Sequence, residues 1–485
     1  MVIPKEVKSV VEKLKKSGFE AYIVGGCVRD FLISVEPKDW DITTNAKPGE
    51  IQKIFPKSFY ENKFLTVTVK TNSKKEKLQE IEITTYRLET KYTDKRHPDE
   101  ISFAKTLQDD LARRDFTINA IALEPQKTKN KIIDLYSGQE DLKNRIIRTV
   151  GNPEERFSED ALRMMRAVRF ATTLGFKIEE KTANAIKKNA AQLEAISKER
   201  IRDEFLKIVM SERADEGIEL LRELGLLKFI VPELEEGYKI SQNKHHIYDC
   251  WQHSVFSLKY AAQKRFNQNV KLAALFHDIG KPRVKRGEGL DATFYNHEIV
   301  GAKITKEILE RLKFSKKDIE KIVKLVRYHL FYYNAGEVKD SSVRRLVRNV
   351  GPESMEELLQ VRMADRIGSG VPKAEPYKLR HLKYVVDKVS QDPISAQMLK
   401  TNGNEIMKLL DIKPGPKIGQ ILDILLGEVL TDPKKNKKEL LKKEVEKLGK
   451  LSDNELEKLS DSAKKEREKI ETKKDEMTKQ KYWVT

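Results

Sequence analysis

Cysteine is nearly absent from the sequence: Cys27 and Cys250 are the only two in 485 residues, and they lie far apart. That excludes a disulfide framework and a thiolate metal site, and it fits a reducing cytosol. Long apolar runs are missing as well. No stretch approaches the roughly 18 apolar residues that crossing a bilayer requires. The first residues, MVIPKEVKSVVEKLKKSGFEAYIV, read as a charged amphipathic helix and lack the apolar run of a signal peptide. No internal repeat is visible. These absences point to a soluble, cytoplasmic protein with no membrane partner.

What is present is length and positive charge. A chain of 485 residues is too long for one ordinary core, so several domains are expected. Lys and Arg number 94 against 76 Asp and Glu, a net charge of +18, with a pI near 9.4. Such a surplus favours a polyanionic partner, because each cation set against a phosphate releases a condensed counterion. An anionic membrane surface would satisfy the same charge, so composition alone names no partner.

Along the chain, residues 19–26 (FEAYIVGG), 64–71 (FLTVTVKT) and 80–87 (EIEITTYR) are β-branched or aromatic runs with alternation, separated by helical segments. Residues 1–150 therefore read as an α/β domain. From about residue 153 apolar residues recur at helical spacing, and the remainder is predicted to be almost wholly α-helical. Gly and Pro punctuate near 151–153, 237–244, 370–376 and 413–416. The resulting divisions are 1–150, 151–237, 245–370 and 371–485. Beyond Pro433 a Lys- and Glu-rich stretch reads as an exposed helix or a frayed tail.

The first chemical signal is GGCVRDFLISVEPKDWDITT. Asp39 and Asp41 stand two apart, and in a strand such residues point to one face. Two carboxylates side by side repel unless a divalent cation sits between them, as metal-assisted phosphoryl chemistry requires. Gly25 and Gly26 upstream let backbone approach a triphosphate, and Arg29 adds positive charge. Taken alone, the segment also describes a solvated loop after a plain turn.

The order of motifs narrows the choice. GG-x-VRD, Asp-x-Asp, EITTYR, RRDFTINA and EDALRMMR together resemble the class II tRNA nucleotidyltransferase and poly(A) polymerase family, through residues 20–175 and less sharply to about 235. The resemblance implies a polymerase-β-like mixed-sheet head followed by an all-α neck, and addition of C, C and A to the 3′ end of tRNA from CTP and ATP. It implies Mg²⁺ on Asp39 and Asp41, triphosphate contacts from Gly26 and Arg29, and a third acidic group at Glu82. Glu80 lies on the same strand face, and Glu82 equally reads as a solvent-facing strand residue.

In ERFSEDALRMMRAVRF, Ser158 reads as an N-cap, and Asp160 and Arg163 as neighbours on one helix face. A carboxylate accepts from an exocyclic amine, and a guanidinium donates to ring acceptors. Cytosine and adenine both present an amine beside an unprotonated ring nitrogen, so such a pair selects them against uracil and guanine. An ordinary i,i+3 ion pair has the same spelling. The resemblance implies the base-reading role for Asp160 and Arg163, and nucleotide contacts for Arg114, Arg166 and Arg169. Arg113 and Asp115 are expected to hold local structure. The loop after TTYR, with Tyr92, Asp94, Arg96, His97 and Pro98, has the length that the resemblance associates with full CCA addition rather than CC addition.

Four of the eight histidines form a second ordered series: His253, His277-Asp278, His297, His329 and Asp365. Imidazole and carboxylate suit Mn, Fe, Ni, Zn or Mg, and six such groups suffice for two ions. The series, with HDIGKP, resembles the HD phosphohydrolase domain. That implies metal-activated water attacking a phosphate ester, 2′,3′-cyclic phosphates or 2′-nucleotides among them, with Lys281 against the phosphoryl oxygens. His245, His246 and His381 fall outside the pattern. Three readings follow: a tRNA nucleotidyltransferase (CCA-adding, with poly(A) or CC addition as variants) bearing an accessory HD domain; an HD phosphohydrolase with a nucleotide-sensing head; and an RNA-binding module without catalysis. The oligomeric state has no signal.

Overall fold

The computed structural model describes residues 2–61, 66–90, 100–126, 130–243, 247–390, 396 and 399–484. Two compact units emerge: Met1–Leu330 with Gln360–Pro372, and Phe331–Leu359 with Lys373–Thr485.

The first unit starts with the helix Lys5–Lys16, whose Val7, Val10, Val11 and Leu14 recur at helical spacing and are all buried. Eleven strands follow among the described residues: β1 (Ala21–Val24), β2 (Asp41–Thr44), β3 (Ser58–Glu61), β4 (Thr66–Lys70), β5 (Glu80–Thr85), β6 (Arg87–Thr90), β7 (Glu100–Phe103), β8 (Ile121–Glu124), β9 (Lys131–Asp134), β10 (Ile146–Ile147) and β11 (Lys177–Ile178). Seven form one sheet in the order β3-β4-β5-β2-β1-β8-β9. Only β2 and β5 pair in parallel there; the other neighbours are antiparallel. The mixed sheet expected of the head is therefore present. The three strand runs seen in the sequence are β1, β4 and β5. β8 and β9 escape notice because β8 is short and buried, while β9 has no alternation of burial.

After Pro153 the described chain is helical apart from β11. Asn152 caps the helix Pro153–Glu159, its side chain accepting from the Glu154 amide. Ser158 is not an N-cap. It lies inside this helix, its hydroxyl donating to the Glu155 carbonyl. The helix ends at Asp160, whose backbone is extended, and a second helix runs Leu162–Leu174. The break occurs because the Asp160 carboxylate accepts the Leu162 N–H at 3.1 Å and offers the chain a fresh start.

In the second unit the helix Pro416–Thr431 buries Ile418, Ile421, Leu425 and Val429 in a core shared with Leu441, Val445 and Leu456. The Lys-rich stretch beyond Pro433 holds the α-helix Lys438–Leu448 and the 29-residue Asp453–Lys481, the latter opened by a Ser452–Glu455 capping box. Among the described residues no helix is long and apolar enough to cross a membrane.

Candidate active site and histidine cluster

β2 starts at Asp41, which stands opposite Val24 of β1 and Glu82 of β5. Asp39 precedes the strand in a bend instead of lying within it. Trp40 between them is buried, and Asp39 is close enough to Asp41 to raise its carboxyl. Glu80, the competing acid, stands opposite Lys70, away from Asp41. Burial first, then Asp39 and Glu82, push the Asp41 carboxyl up to about 7 against the opposing pull of Arg114. Three acids that repel one another are short of a cation, which fits the divalent ion expected here.

Gly25 closes β1 with φ +81 and precedes the helix Gly26–Leu32. A Cβ at Gly25 would stand 3.0 Å from Arg114 Nη1 and 3.7 Å from Asp41 Oδ2, so any side chain would fill the space between cation and carboxylate. Asp110 aims the cation. Its buried carboxylate accepts from Arg113 Nη2 at 2.7 Å, Arg114 Nη2 at 3.2 Å and Thr43 Oγ1 at 3.2 Å. Burial pushes the Asp110 carboxyl up, but Arg114 and Arg113 outweigh it and hold it low. Asp110→Ala should cost about 3–5 kcal/mol of stability, because two guanidiniums lose a buried partner. Urea denaturation measures it; a cost near zero would show that solvent replaces the carboxylate.

The RRDFTINA segment links the remaining arginines. Arg29 donates to Asp30 Oδ1 and Asn119 Oδ1, both at 2.8 Å. The Asn119 amide donates to Asp115 Oδ1 at 3.2 Å, and Asp115 Oδ2 accepts from Arg166 Nε at 2.8 Å. Burial raises the Asp115 carboxyl, but Arg166 and the Asn119 hydrogen bond prevail and bring it to about 2. Arg169 is held by Glu204 at 2.6 Å. Arg29, Arg166 and Arg169 all lie over the Phe170 ring, at 5.2, 5.4 and 3.8 Å from its centroid.

Asp160 and Arg163 differ from the sequence expectation of one helix face. Asp160 is engaged by Arg200 at 2.7 and 3.3 Å. Arg163 is buried and bonded to Glu159, to the Arg156 carbonyl and to the Arg113 carbonyl. The two remain adjacent, the Arg163 N–H donating to the Asp160 carbonyl at 3.0 Å. Tyr92, Asp94, Arg96, His97 and Pro98 of the preceding loop lie outside the described residues, as do His245 and His246.

The histidine series converges. His253 lies on the helix Cys250–Gln263, His277 ends Gln268–Phe276, His297 opens His297–Arg311, His329 ends Lys316–Tyr328 and Asp365 lies on Met355–Gly368. Two trios have ligand atoms within 4.8 Å of one another: His253, His277 and Asp365; and Asp278, His297 and His329. Asp278 joins them, with Oδ2 at 2.9 Å from His253 Nε2 and Oδ1 at 3.3 Å from His297 Nε2. The Nδ1 atoms of His277, His297 and His329 lie 2.7–2.8 Å from the carbonyls of Ala274, Phe294 and Val326. A carbonyl only accepts, so each Nδ1 carries a proton and each Nε2 is the ring atom turned toward Asp278. Gly280 permits this geometry, since a Cβ there would lie 2.3 Å from the His297 carbonyl.

The charges in the cluster act strongly on one another. Burial raises Asp278, but Lys281 and His277 hold it well below the carboxylate range. Burial lowers His277, yet Asp278 and Asp365 raise it to about 10. Lys281, expected against phosphoryl oxygens, is among the residues lining the cleft beside the cluster. Its ammonium is buried against Asp278 Oδ2 and Gln242 Oε1, each at 2.6 Å. A cleft of about 590 Å³ opens beside the cluster, lined by Tyr295, Arg362 and Arg366 among others.

Three family models match the chain: a poly A polymerase head domain over residues 21–148, a probable RNA and SrmB-binding site of polymerase A over 175–237, and an HD domain over 250–369. The CCA-adding enzyme of Ligilactobacillus salivarius is 35% identical over 453 residues, covering 92% of this chain and 98% of that one. The chain belongs to the CCA-adding enzymes. That of Enterococcus faecalis is 34% identical over 450 residues, covering 90% and 94%. The crystal structure of the Bacillus stearothermophilus CCA-adding enzyme in complex with CTP shares the fold with a TM-score of 0.61 at 27% identity, covering 92% and 98%.

As a CCA-adding enzyme the chain is a tRNA-processing nucleotidyltransferase. Four residues that position its candidate site were not singled out in the sequence: Asp110, Asn119, Arg200 and Glu204. Each is an ordinary polar residue in a helix or turn, and nothing local distinguishes it from a solvated one. The cationic lining of the cleft, Arg362 and Arg366, went unseen for the same reason.

Proposed function

We propose that the head formed by residues 1–150, with the neck 151–237, adds C, C and A to tRNA from CTP and ATP by attack of the terminal hydroxyl on the α-phosphate. The observation that carries this reading is Asp41 set between Asp39 and Glu82, across a side-chain-free turn from Arg114. Magnesium held by Asp39 and Asp41, supported by Glu82, would neutralise phosphate charge and lower the pKa of the attacking hydroxyl. Gly26 and Arg29 bind the triphosphate, and Arg114, Arg166 and Arg169 add charge around it. These groups position and neutralise, which is most of what phosphoryl transfer needs.

In this reading Asp160 accepts the exocyclic amine of cytosine or adenine and Arg163 donates to the ring acceptors. Asp160→Ala should therefore admit UTP and GTP while leaving addition itself measurable; single-nucleotide incorporation into tRNA lacking its 3′ end reads this out. Unchanged selectivity would remove Asp160 from base reading. Incubating the protein with such tRNA, labelled CTP and ATP, and Mg²⁺, followed by sequencing of the product, tests the whole proposal and separates CCA from CC or A addition.

A second activity rests on the histidine cluster. His253, His277, Asp278, His297, His329 and Asp365, within the region 245–370, would hold divalent metal ions that activate water against a phosphate ester. The inward-turned Nε2 atoms and the bridging Asp278 support this assignment. The neck 151–237 and the more C-terminal helices hold the tRNA through backbone contacts rather than sequence.

A further inference from the structure

We propose that Arg200 is a specificity-setting positioning residue: its guanidinium fork orients the Asp160 carboxylate so that one acceptor position faces the incoming base. The inference rests on the base-reading role proposed for Asp160.

The geometry is that of a two-pronged clamp. Arg200 Nη2 donates to Asp160 Oδ2 at 2.7 Å and Nη1 to Oδ1 at 3.3 Å, across 40 positions of sequence. Oδ1 also accepts the Leu162 N–H at 3.1 Å. A carboxylate offers about four acceptor positions. Three are thereby occupied, and the fourth has a direction set by the protein. Two contacts in one plane stop the carboxylate turning about its terminal torsion, which a single contact does not.

Arg200 reaches Asp160 from a rigid base. It lies on the helix Lys198–Val209, anchored by the buried Ile201, Phe205, Ile208 and Val209. Four residues on, and so on the same helix face, Glu204 holds Arg169 at 2.6 Å. One helix thus presents a cation to the anionic reader and an anion to a cationic nucleotide contact. Both partners lie in or beside the Leu162–Leu174 helix, so the Lys198–Val209 helix acts as a template that fixes their side chains.

Selectivity of this kind depends on repulsion as much as attraction. Cytosine and adenine offer an amine to the fixed oxygen, whereas uracil and guanine offer a carbonyl, acceptor against acceptor. A clamped carboxylate cannot swing aside. A carboxylate held only by the Leu162 N–H can, and the repulsion that rejects uracil and guanine is then relieved. Loss of Arg200 should act chiefly by admitting the wrong bases, with a smaller loss of the right ones.

The test uses the full chain, tRNA lacking its 3′ end and each nucleoside triphosphate supplied separately. Arg200→Met keeps the alkyl stem and removes the fork. It should raise kcat/KM for UTP and GTP relative to CTP and ATP by about tenfold or more, since a misplaced polar group forfeits discrimination of that order. Arg200→Lys, which restores one charged contact, should fall between Met and the native residue. An equal drop for all four nucleotides would make Arg200 a structural prop and overturn the proposal. If Asp160→Ala relaxes choice but Arg200→Met does not, the clamp fails while Asp160 stands as the reader; if neither relaxes it, both fail. Should Arg200→Met not fold, Arg200→Lys decides: raised UTP use supports the clamp, and native selectivity overturns it.

Discussion

Asp41→Asn should reduce nucleotide addition by about 10³-fold or more while leaving tRNA binding nearly intact, because it removes a charge required in the transition state and touches no RNA contact. The same substitution should make the metal-free protein more stable. Burial, with Asp39 and Glu82 beside it, pushes Asp41 up to about 7, against an ordinary value near 3.9 in an unfolded chain. Between those values the folded state binds more protons than the unfolded state. Stability in chelator should therefore fall as pH rises from about 4 to about 7, and stay low above that. Asn carries no charge, so the variant should lose that component of the slope. Thermal melts in EDTA across this pH range, paired with filter binding of tRNA, measure both effects. A variant that still extends tRNA at a native rate would remove Asp41 from the chemistry; a native pH profile would show that the three acids do not repel as their register implies.

Asp278→Ala should abolish metal retention and any phosphohydrolase activity while sparing nucleotide addition. Asp278 bridges the two trios, with Oδ2 facing His253 and His277 and Oδ1 facing His297 and His329. Its loss also leaves the buried Lys281 without its nearest anion. Elemental analysis of the native protein should find about two ions per chain, as six N and O ligands allow, and the variant should retain fewer than one. Hydrolysis of 2′,3′-cyclic nucleotides and 2′-nucleotides should fall to background in the variant. Metal affinity should also rise with pH. Without metal, Asp278 and Asp365 overcome the effect of burial and let His277 keep a proton up to about pH 10, and that proton must leave before the Nε2 lone pair can bind. Full metal content in Asp278→Ala would show that the trios act separately, and a parallel loss of CCA addition would show that the cluster supports the head rather than running its own reaction.

How much of this was legible in sequence varies by element. The strands around residues 21, 66 and 80 carry enough β-branched residues to declare themselves, whereas β9 does not. The expected continuous helix through Asp160 failed because Ser, Glu and Asp in series satisfy helix-start chemistry at several positions. Asn152 caps the first helix, and the second starts after Asp160, whose carboxylate accepts the Leu162 N–H. Which of Glu80 and Glu82 stands opposite Asp41 depends on strand register, which only the fold supplies: Glu82 pairs with Asp41 and Glu80 with Lys70.

The order of the motifs, the carboxylate spacing and the His-Asp series already pointed, in one dimension, to the family and to the chemistries proposed for the chain. Side-chain periodicity and motif spacing are local properties, so they survive without coordinates. Which oxygen faces which cation was decided only on folding: Arg200 meets Asp160 across 40 positions, Arg29 meets Asn119 across 90, and Asp278 gathers histidines from four helices or helix ends. Those contacts depend on how helices and strands pack, and packing is settled by the whole core at once rather than by any segment of it.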